Sequence, residues 1–319
     1  MAKRRRVQSN ASALLEKLCE IQSTPLPPRH PKKPFNPANP EIPLLDNYED
    51  FPDKEFWNVF PRQRNTRAGT PFKLDVQCLE KWVQEAGATE ELVELLEEVK
   101  KDIVNGADLK VDEGYKPTES RNAKSAYSDG KYVTDEIASG LKTGIFAGPF
   151  SRSEIPKNVT VNSLQTAPKP NGKVRIILNM STPKEAGVND FIRKEHYPCE
   201  MGGMKELVWA INYCGKGAKF AKCDWNAAYK HIAVAQNQLC YQWFRWLQMF
   251  FVELCLIFGC ISSVGLYDRL ARMMWLIVAC VLSYPMDLIV QHLDDLCMIG
   301  NGEDGRLEQI FGGLFNYWC

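Results

Sequence analysis

The stretch Asp287-Leu-Ile-Val-Gln-His-Leu-Asp-Asp-Leu-Cys-Met-Ile-Gly300 restricts the fold more than any other part of the chain. Its two apolar runs, Leu288 to Val290 and Leu296 to Ile299, are each of strand length and flank the adjacent carboxylates Asp294 and Asp295. That pattern predicts a β-hairpin with the acids at its turn. Two readings of the acid pair stand open. In one, Asp-Asp is a polar turn between two strands. In the other it is a cation site. Like charges this close resist joint ionisation, and a hard divalent cation such as Mg²⁺ or Mn²⁺, held by oxygen ligands, relieves that resistance.

A second acid lies about seventy residues upstream, in Ala218-Lys-Phe-Ala-Lys-Cys-Asp-Trp-Asn-Ala-Ala-Tyr-Lys-His-Ile-Ala233. Here a run of small and apolar residues ends on Asp224 and gives way to a polar, then aromatic, segment, the pattern of a strand followed by a turn into a helix. A lone acid at a strand end and an acid pair on a hairpin turn can together supply three carboxylates to one two-metal site. Such sites serve in-line phosphoryl or nucleotidyl transfer, with the metals roughly 4 Å apart. The reading requires Asp224 to meet the 294–295 turn in space.

Further upstream, Asn162 to Pro168 and Lys173 to Asn179 are strand-like and joined through Pro170-Asn-Gly172, a strong hairpin signal. Lys173, Arg175 and Ile177 alternate onto one face of the second strand. Two cations in line on a projecting hairpin suit a triphosphate, Arg offering bidentate contacts and Lys a point charge. An edge strand kept soluble by charge has the same pattern.

Four blocks in order, Lys169-Pro-Asn-Gly-Lys-Val-Arg175, Asp224 with Tyr229 five residues on, Ile257-Phe-Gly-Cys-Ile-Ser-Ser263, and Leu293-Asp-Asp295, resemble the fingers signature and motifs A, B and C of reverse transcriptases. The wording of the blocks is most similar to DIRS-type, tyrosine-recombinase retrotransposons, over roughly Thr134 to Gly300. The resemblance implies an α+β fold, the fingers and palm of a right-hand polymerase, with an antiparallel palm sheet backed by helices. It implies RNA-directed DNA synthesis on an RNA or DNA template-primer from deoxynucleoside triphosphates. Asp224, Asp294 and Asp295 then hold two Mg²⁺ ions (or Mn²⁺), with the backbone carbonyl of Trp225 completing one coordination sphere. Lys169, Lys173 and Arg175 receive the nucleotide, Tyr229 walls off its 2′ position, and Gly259 makes the turn that approaches its base. The alternative is an inactive retroelement remnant that only binds nucleic acid. The chain departs from the family pattern at Ile257, where proline is common, at Leu293, where an aromatic-x arrangement is common, and at Asn179, where retroviral relatives carry an acid. The turn after Trp246 lacks the usual glycine and must run through Leu247-Gln-Met. None of these removes a metal ligand. Only 24 residues follow Asp295 in the 319-residue chain, so a thumb and RNase H are absent from this reading.

The remaining regions are less specific. Residues 1–65 read as a disordered, proline-rich tail with a basic cluster at Lys3 to Arg6 and a short helix at Ala11 to Ile21. Residues 66–133 read as an acidic helical segment and linker, set apart from a polymerase region over 134–319. Two helices fill Leu74 to Asn105, the second capped by Thr89, closed by Asn105-Gly106 and presenting a solvated acidic face. Ala107 to Lys131 is linker-like, and Thr134 caps a helix leading to Gly144. Gln242 to Trp246 with Met249 to Leu256 reads as a palm hairpin, followed by a long helix from Tyr267. Net charge is zero, so overall charge gives no argument for a polyanionic partner. Local charge does: Lys142 to Glu195 holds nine basic and four acidic residues, whereas Asp75 to Glu113 holds four and twelve. The eleven cysteines are odd in number, form no Cys-x-x-Cys and follow no signal peptide, which places reduced thiols in the cytosol or nucleus. The apolar runs Met249 to Tyr267 and Met273 to Met286 are interrupted or short for a bilayer and read as core, with no membrane partner. No pattern in the chain sets an oligomeric state.

Overall fold

The computed structural model describes residues 74–169, 174–199, 201–301 and Leu307. The tail, its expected helix, residues 66–73 and the turn at 170–173, which includes Lys173, lie outside the described residues.

Helices α1 (Val76–Glu85) and α2 (Glu90–Asn105) form within the expected Leu74 to Asn105 span, α2 where its capping signals put it. The Asp75 carboxylate accepts from the Gln77 amide at 2.9 Å, Thr89 Oγ1 from the Leu92 amide at 3.4 Å, and Gly106 leaves α2 at φ 80°. Leu92, Leu96 and Val99 form the buried stripe. The acidic face is solvated at Glu90, Glu94 and Glu97, but its edge at Glu91, Glu98 and Asp102 meets helix α6 (Ile261–Val281). Arg269 lies 3.6 Å from Asp102 and 3.7 Å from Glu98, and Arg272 reaches Glu91. The segment 107–131 also differs from the linker expected. Ala107 and Leu109 are fully buried, Ala107 bridges to Val234 and Glu119 to Val161, and a short helix α3 (Lys124–Ser128) forms within it. Helix α4 begins before Thr134, spanning Gly130–Thr143. Thr134 sits inside it, its hydroxyl bonded to the Gly130 carbonyl at 2.9 Å and accepting the Trp246 indole N–H at 3.0 Å. A buried Trp N–H needs such a partner, so tertiary packing outweighs the local capping signal.

Two sheets carry the rest. In the first, strands β1 (Phe146–Phe150), β2 (Val161–Pro168), β3 (Val174–Asn179), β5 (Trp243–Trp246) and β6 (Met249–Glu253) are ordered β1-β6-β5-β2-β3. It is mixed, since β2 runs parallel to β5 while the other pairs are antiparallel. The hairpin β5–β6, read from sequence as part of the palm, therefore joins the strand pair β2–β3 and not the sheet that carries the aspartates. Its turn runs through Leu247 and Gln248 at φ 46° and 62°. The second sheet orders β4 (Lys219–Asp224), β8 (Asp295–Gly300) and β7 (Ile289–His292) as β4-β8-β7, all antiparallel. Strand alternation turns Leu296 and Met298, each 1% exposed, to the side on which Gln291 bonds Asp268 of α6 at 3.1 Å. Helix α6 is the beam of the molecule: most of its 21 residues are buried, with α2 against it and the three-stranded sheet above. Helix α5 (Met204–Cys214) packs on β8. No described helix is long and apolar enough to cross a membrane.

Two outcomes follow from this packing. A left-handed conformation costs a non-glycine residue about 1–2 kcal/mol, so Gln248→Gly is expected to raise the melting temperature by about 2–4 °C; an unchanged or lower value contradicts the turn described. Burial pushes the Asp102 carboxyl up to about 6 despite Arg269 beside it. A folded value above the unfolded one gives stability that is present below about pH 4 and lost as pH rises through 6. Asp102→Asn should therefore gain on the wild type by about 1 kcal/mol between pH 4.5 and 7.5, followed by denaturant unfolding; a pH-independent difference contradicts the assignment.

Candidate active site

Strand β4 ends on Asp224 because Trp225 and the residues after it leave the sheet for a 3₁₀ turn at Ala228–His231. The β4–β8 register pairs Asp224 directly with Asp295 and Lys222 with Cys297. The β7–β8 hairpin closes on the pair His292 and Asp295, so Leu293, at φ 56°, and Asp294 form its turn. The Trp225 amide then donates to the Asp294 carbonyl at 3.2 Å. Residues directly opposite in antiparallel strands have Cα atoms about 5 Å apart. The three acids that the sequence separates by some seventy residues are thus gathered by two backbone devices, a strand register and one cross-link to the turn.

Like charges placed directly across a strand pair repel. Burial, then the charges of Asp294 and Asp295, hold the Asp224 carboxyl above the usual carboxylate range, with Lys222 opposing them. Lys222 shares the Asp224 face of β4, and its ammonium lies 2.9 Å from Asp295 Oδ1. That hydrogen bond to Asp295 is the main reason the Lys222 ammonium is held above its ordinary range. The acids accordingly divide. Asp224 and Asp294 line one cavity of about 420 Å³, whereas Asp295 is tied to Lys222 and does not line it. Among the described residues no three His, Cys, Asp or Glu side chains converge as a ready cation cage. The donor set on the cavity wall, two neighbouring carboxylates of which Asp224 is raised by burial and then by the charge of Asp294, fits a hard cation.

The same cavity receives Lys169, Arg175, Trp225 and Tyr229. Tyr229 is 4% exposed, its ring 4.8 Å from Phe258 and edge-on to Tyr267 at 5.7 Å. Burial, then the charge of Asp294, pushes its phenol up to about 12. The Arg175 guanidinium rides over the Phe258 ring at 4.4 Å, a cation–π contact that aims a solvent-exposed cation across the cavity mouth. Gly259 is not on the cavity lining. A Cβ there would stand 1.5 Å from the Leu178 carbonyl oxygen, so glycine is required because strand β3 crosses its backbone. Asn189 ties that turn down, donating to the Gly259 carbonyl at 2.7 Å and accepting from the Ile261 amide at 3.0 Å. Four contributing residues lie outside the set expected from sequence. Lys222 was legible, since it alternates onto the Asp224 face. Phe258 was seen only as motif wording. Lys230 and Glu253 form a largely buried ion pair on the cavity wall; the signal was Glu253 itself, a charge inside an apolar strand that demands a partner.

No protein-family model and no curated protein matches the chain. Among solved structures it is similar to the prototype foamy virus protease-reverse transcriptase (selenomethionine-labelled CSH mutant), with TM-score 0.44 and 14% identity over 77% of this chain and 31% of that one. The foamy viral protease-reverse transcriptase dRH in complex with double-stranded DNA gives TM-score 0.45 and 18% identity, covering 77% of this chain and 41% of that one. The chain spans about a third to two-fifths of the length of these structures.

Proposed function

We propose that this chain carries the fingers and palm of an RNA-directed DNA polymerase from a DIRS-type retrotransposon. The observation that supports it most is the register that sets Asp224 beside Asp295 and Asp294, on the edge of a cavity that also receives Arg175, Lys169 and Tyr229. Sequence motifs more than a hundred residues apart supply side chains to that one cavity, and this convergence supports the reading.

In this reading a primer 3′-hydroxyl attacks the α-phosphate of a deoxynucleoside triphosphate and pyrophosphate leaves. Arg175, braced on Phe258, and Lys169 receive the triphosphate, the guanidinium by paired N–H contacts and the ammonium as a point charge. Tyr229, locked between Phe258 and Tyr267, presents a wall that a 2′-hydroxyl meets and a deoxyribose does not. Asp224 and Asp294, with the Trp225 carbonyl between them in the chain, would hold Mg²⁺. Bound there, the ion neutralises charge that develops on the reacting oxygens. Asp295 acts through Lys222, offsetting the repulsion that three neighbouring carboxylates otherwise exert. The Lys222–Asp295 pair also favours a second reading, a nucleic-acid-binding remnant in which the lysine stands where a cation is needed.

The test is template-directed incorporation of deoxynucleotides by the purified chain on a hybrid template-primer. Asp224→Asn and Asp294→Asn are each expected to lower the rate about 1,000-fold, or about 4 kcal/mol of barrier, with template-primer affinity retained. Asp295→Asn should cost less. Binding without incorporation by the wild type supports the remnant instead.

A further inference from the structure

The cavity wall beside Tyr229 carries a largely buried ion pair. Lys230 follows Tyr229 in the 3₁₀ turn, and its side chain, 16% exposed, pairs with the Glu253 carboxylate on β6, itself 9% exposed. The same ammonium donates to the Leu256 carbonyl at 3.1 Å. Leu256 in turn donates to the Ile232 carbonyl at 3.0 Å, and Ala233 bridges to Cys255. Two chain segments are stitched together at this point. One carries Tyr229; the other runs from Glu253 through Leu256 and Ile257 to Phe258.

We infer that the Lys230–Glu253 pair is a positioning device that holds the Tyr229 ring against Phe258 and so sets how strictly the cavity rejects a ribose. The inference rests on the nucleotide-binding reading given above. The physical case has three parts. First, a largely buried ion pair is a poor source of stability: hydrophobic replacements of similar volume are often neutral or stabilising, while removal of one partner strands a charge. Its burial between the Tyr229 turn and strand β6 therefore calls for a reason other than stability. Second, the pair is directional. The ammonium reaches a carboxylate on β6 and a backbone carbonyl two residues before Phe258, which fixes the Tyr229 turn in register as apolar contact does not. Third, what it fixes is the element where a small displacement matters. Tyr229 meets Phe258 at 4.8 Å, and Phe258 carries the Arg175 guanidinium, so the clamp, the wall and the triphosphate cation form one contact chain. Burial also pushes the Lys230 ammonium down to about 8, the direction expected of a charge held in the wall rather than in solvent.

Dissociation constants for dATP and ATP, measured with Mg²⁺ on a template-primer whose primer lacks a 3′-hydroxyl, read this without turnover. The wild type should favour dATP. In Lys230→Met/Glu253→Leu, which leaves no unpaired charge, the melting temperature should hold or rise while the ATP-to-dATP ratio falls about tenfold or more. Glu253→Gln keeps the volume and one acceptor for the lysine; it provides a second folded variant, and its ratio should fall about threefold. A wild-type ratio retained in either folded variant overturns the inference and leaves the polymerase reading standing. A wild type that binds neither nucleotide overturns the reading and the inference with it.

Discussion

Two carboxylates facing each other across an antiparallel strand pair are the constraint on which the rest of this structure turns. Asp224 at the end of β4 and Asp295 at the start of β8 are register partners, and Asp294 stands beside them on the hairpin turn. Such a pairing lowers stability by itself. The surroundings act to contain it: Lys222 neutralises Asp295 from the same face, the Trp225 amide holds the turn in place, and α6 supports the sheet from below through Asp268 and Gln291. Arg269, the next residue of the same helix, and Arg272, one turn further on, fasten it to α2. A repulsive centre backed by a rigid support is the arrangement of a preorganised site.

The two sheets divide the labour. The three-stranded sheet delivers Asp224 and the Asp294–Asp295 turn, and the five-stranded sheet delivers the Arg175 cation from β3 and the Glu253 carboxylate, partner of Lys230, from β6. The cavity lies where they meet, and the loop from Leu254 to Cys260 passes between them, carrying Phe258 and Gly259. That loop is tied to its surroundings at three points. Gly259 is pressed on the β3 backbone, Asn189 bonds it on two sides, and Lys230 holds Leu256. Position in the cavity is therefore set by backbone contacts, and the aromatic rings follow.

Much of this was legible in the sequence, and for identifiable reasons. The β7–β8 hairpin, the β2–β3 pair, helix α1 and the capped helix α2 rest on local signals: alternation, turn residues, helical spacing and an N-cap. So did the turn through Leu247 and Gln248. What escaped was set by partners far away in the chain. The residues from 107 to 131 are polar enough to resemble a linker, yet their backbone bridges to Val234 and Val161 bury Ala107 and Leu109. Thr134 resembled a cap because the indole that needs its hydroxyl lies 112 positions on. The β5–β6 hairpin was recognisable as a hairpin, but nothing local says which sheet it joins. The division of the acids, with Asp295 drawn to Lys222, depends on register and was read only as a set of three.

The most direct test of this picture is a crystal of the chain grown with Mn²⁺ and examined by anomalous diffraction. The account predicts a manganese peak within about 2.2 Å of oxygens from both Asp224 and Asp294, with Asp295 still on Lys222 or drawn in beside it. Both carboxylates free of metal at saturating Mn²⁺, with Lys222 as their sole counter-charge, would contradict it.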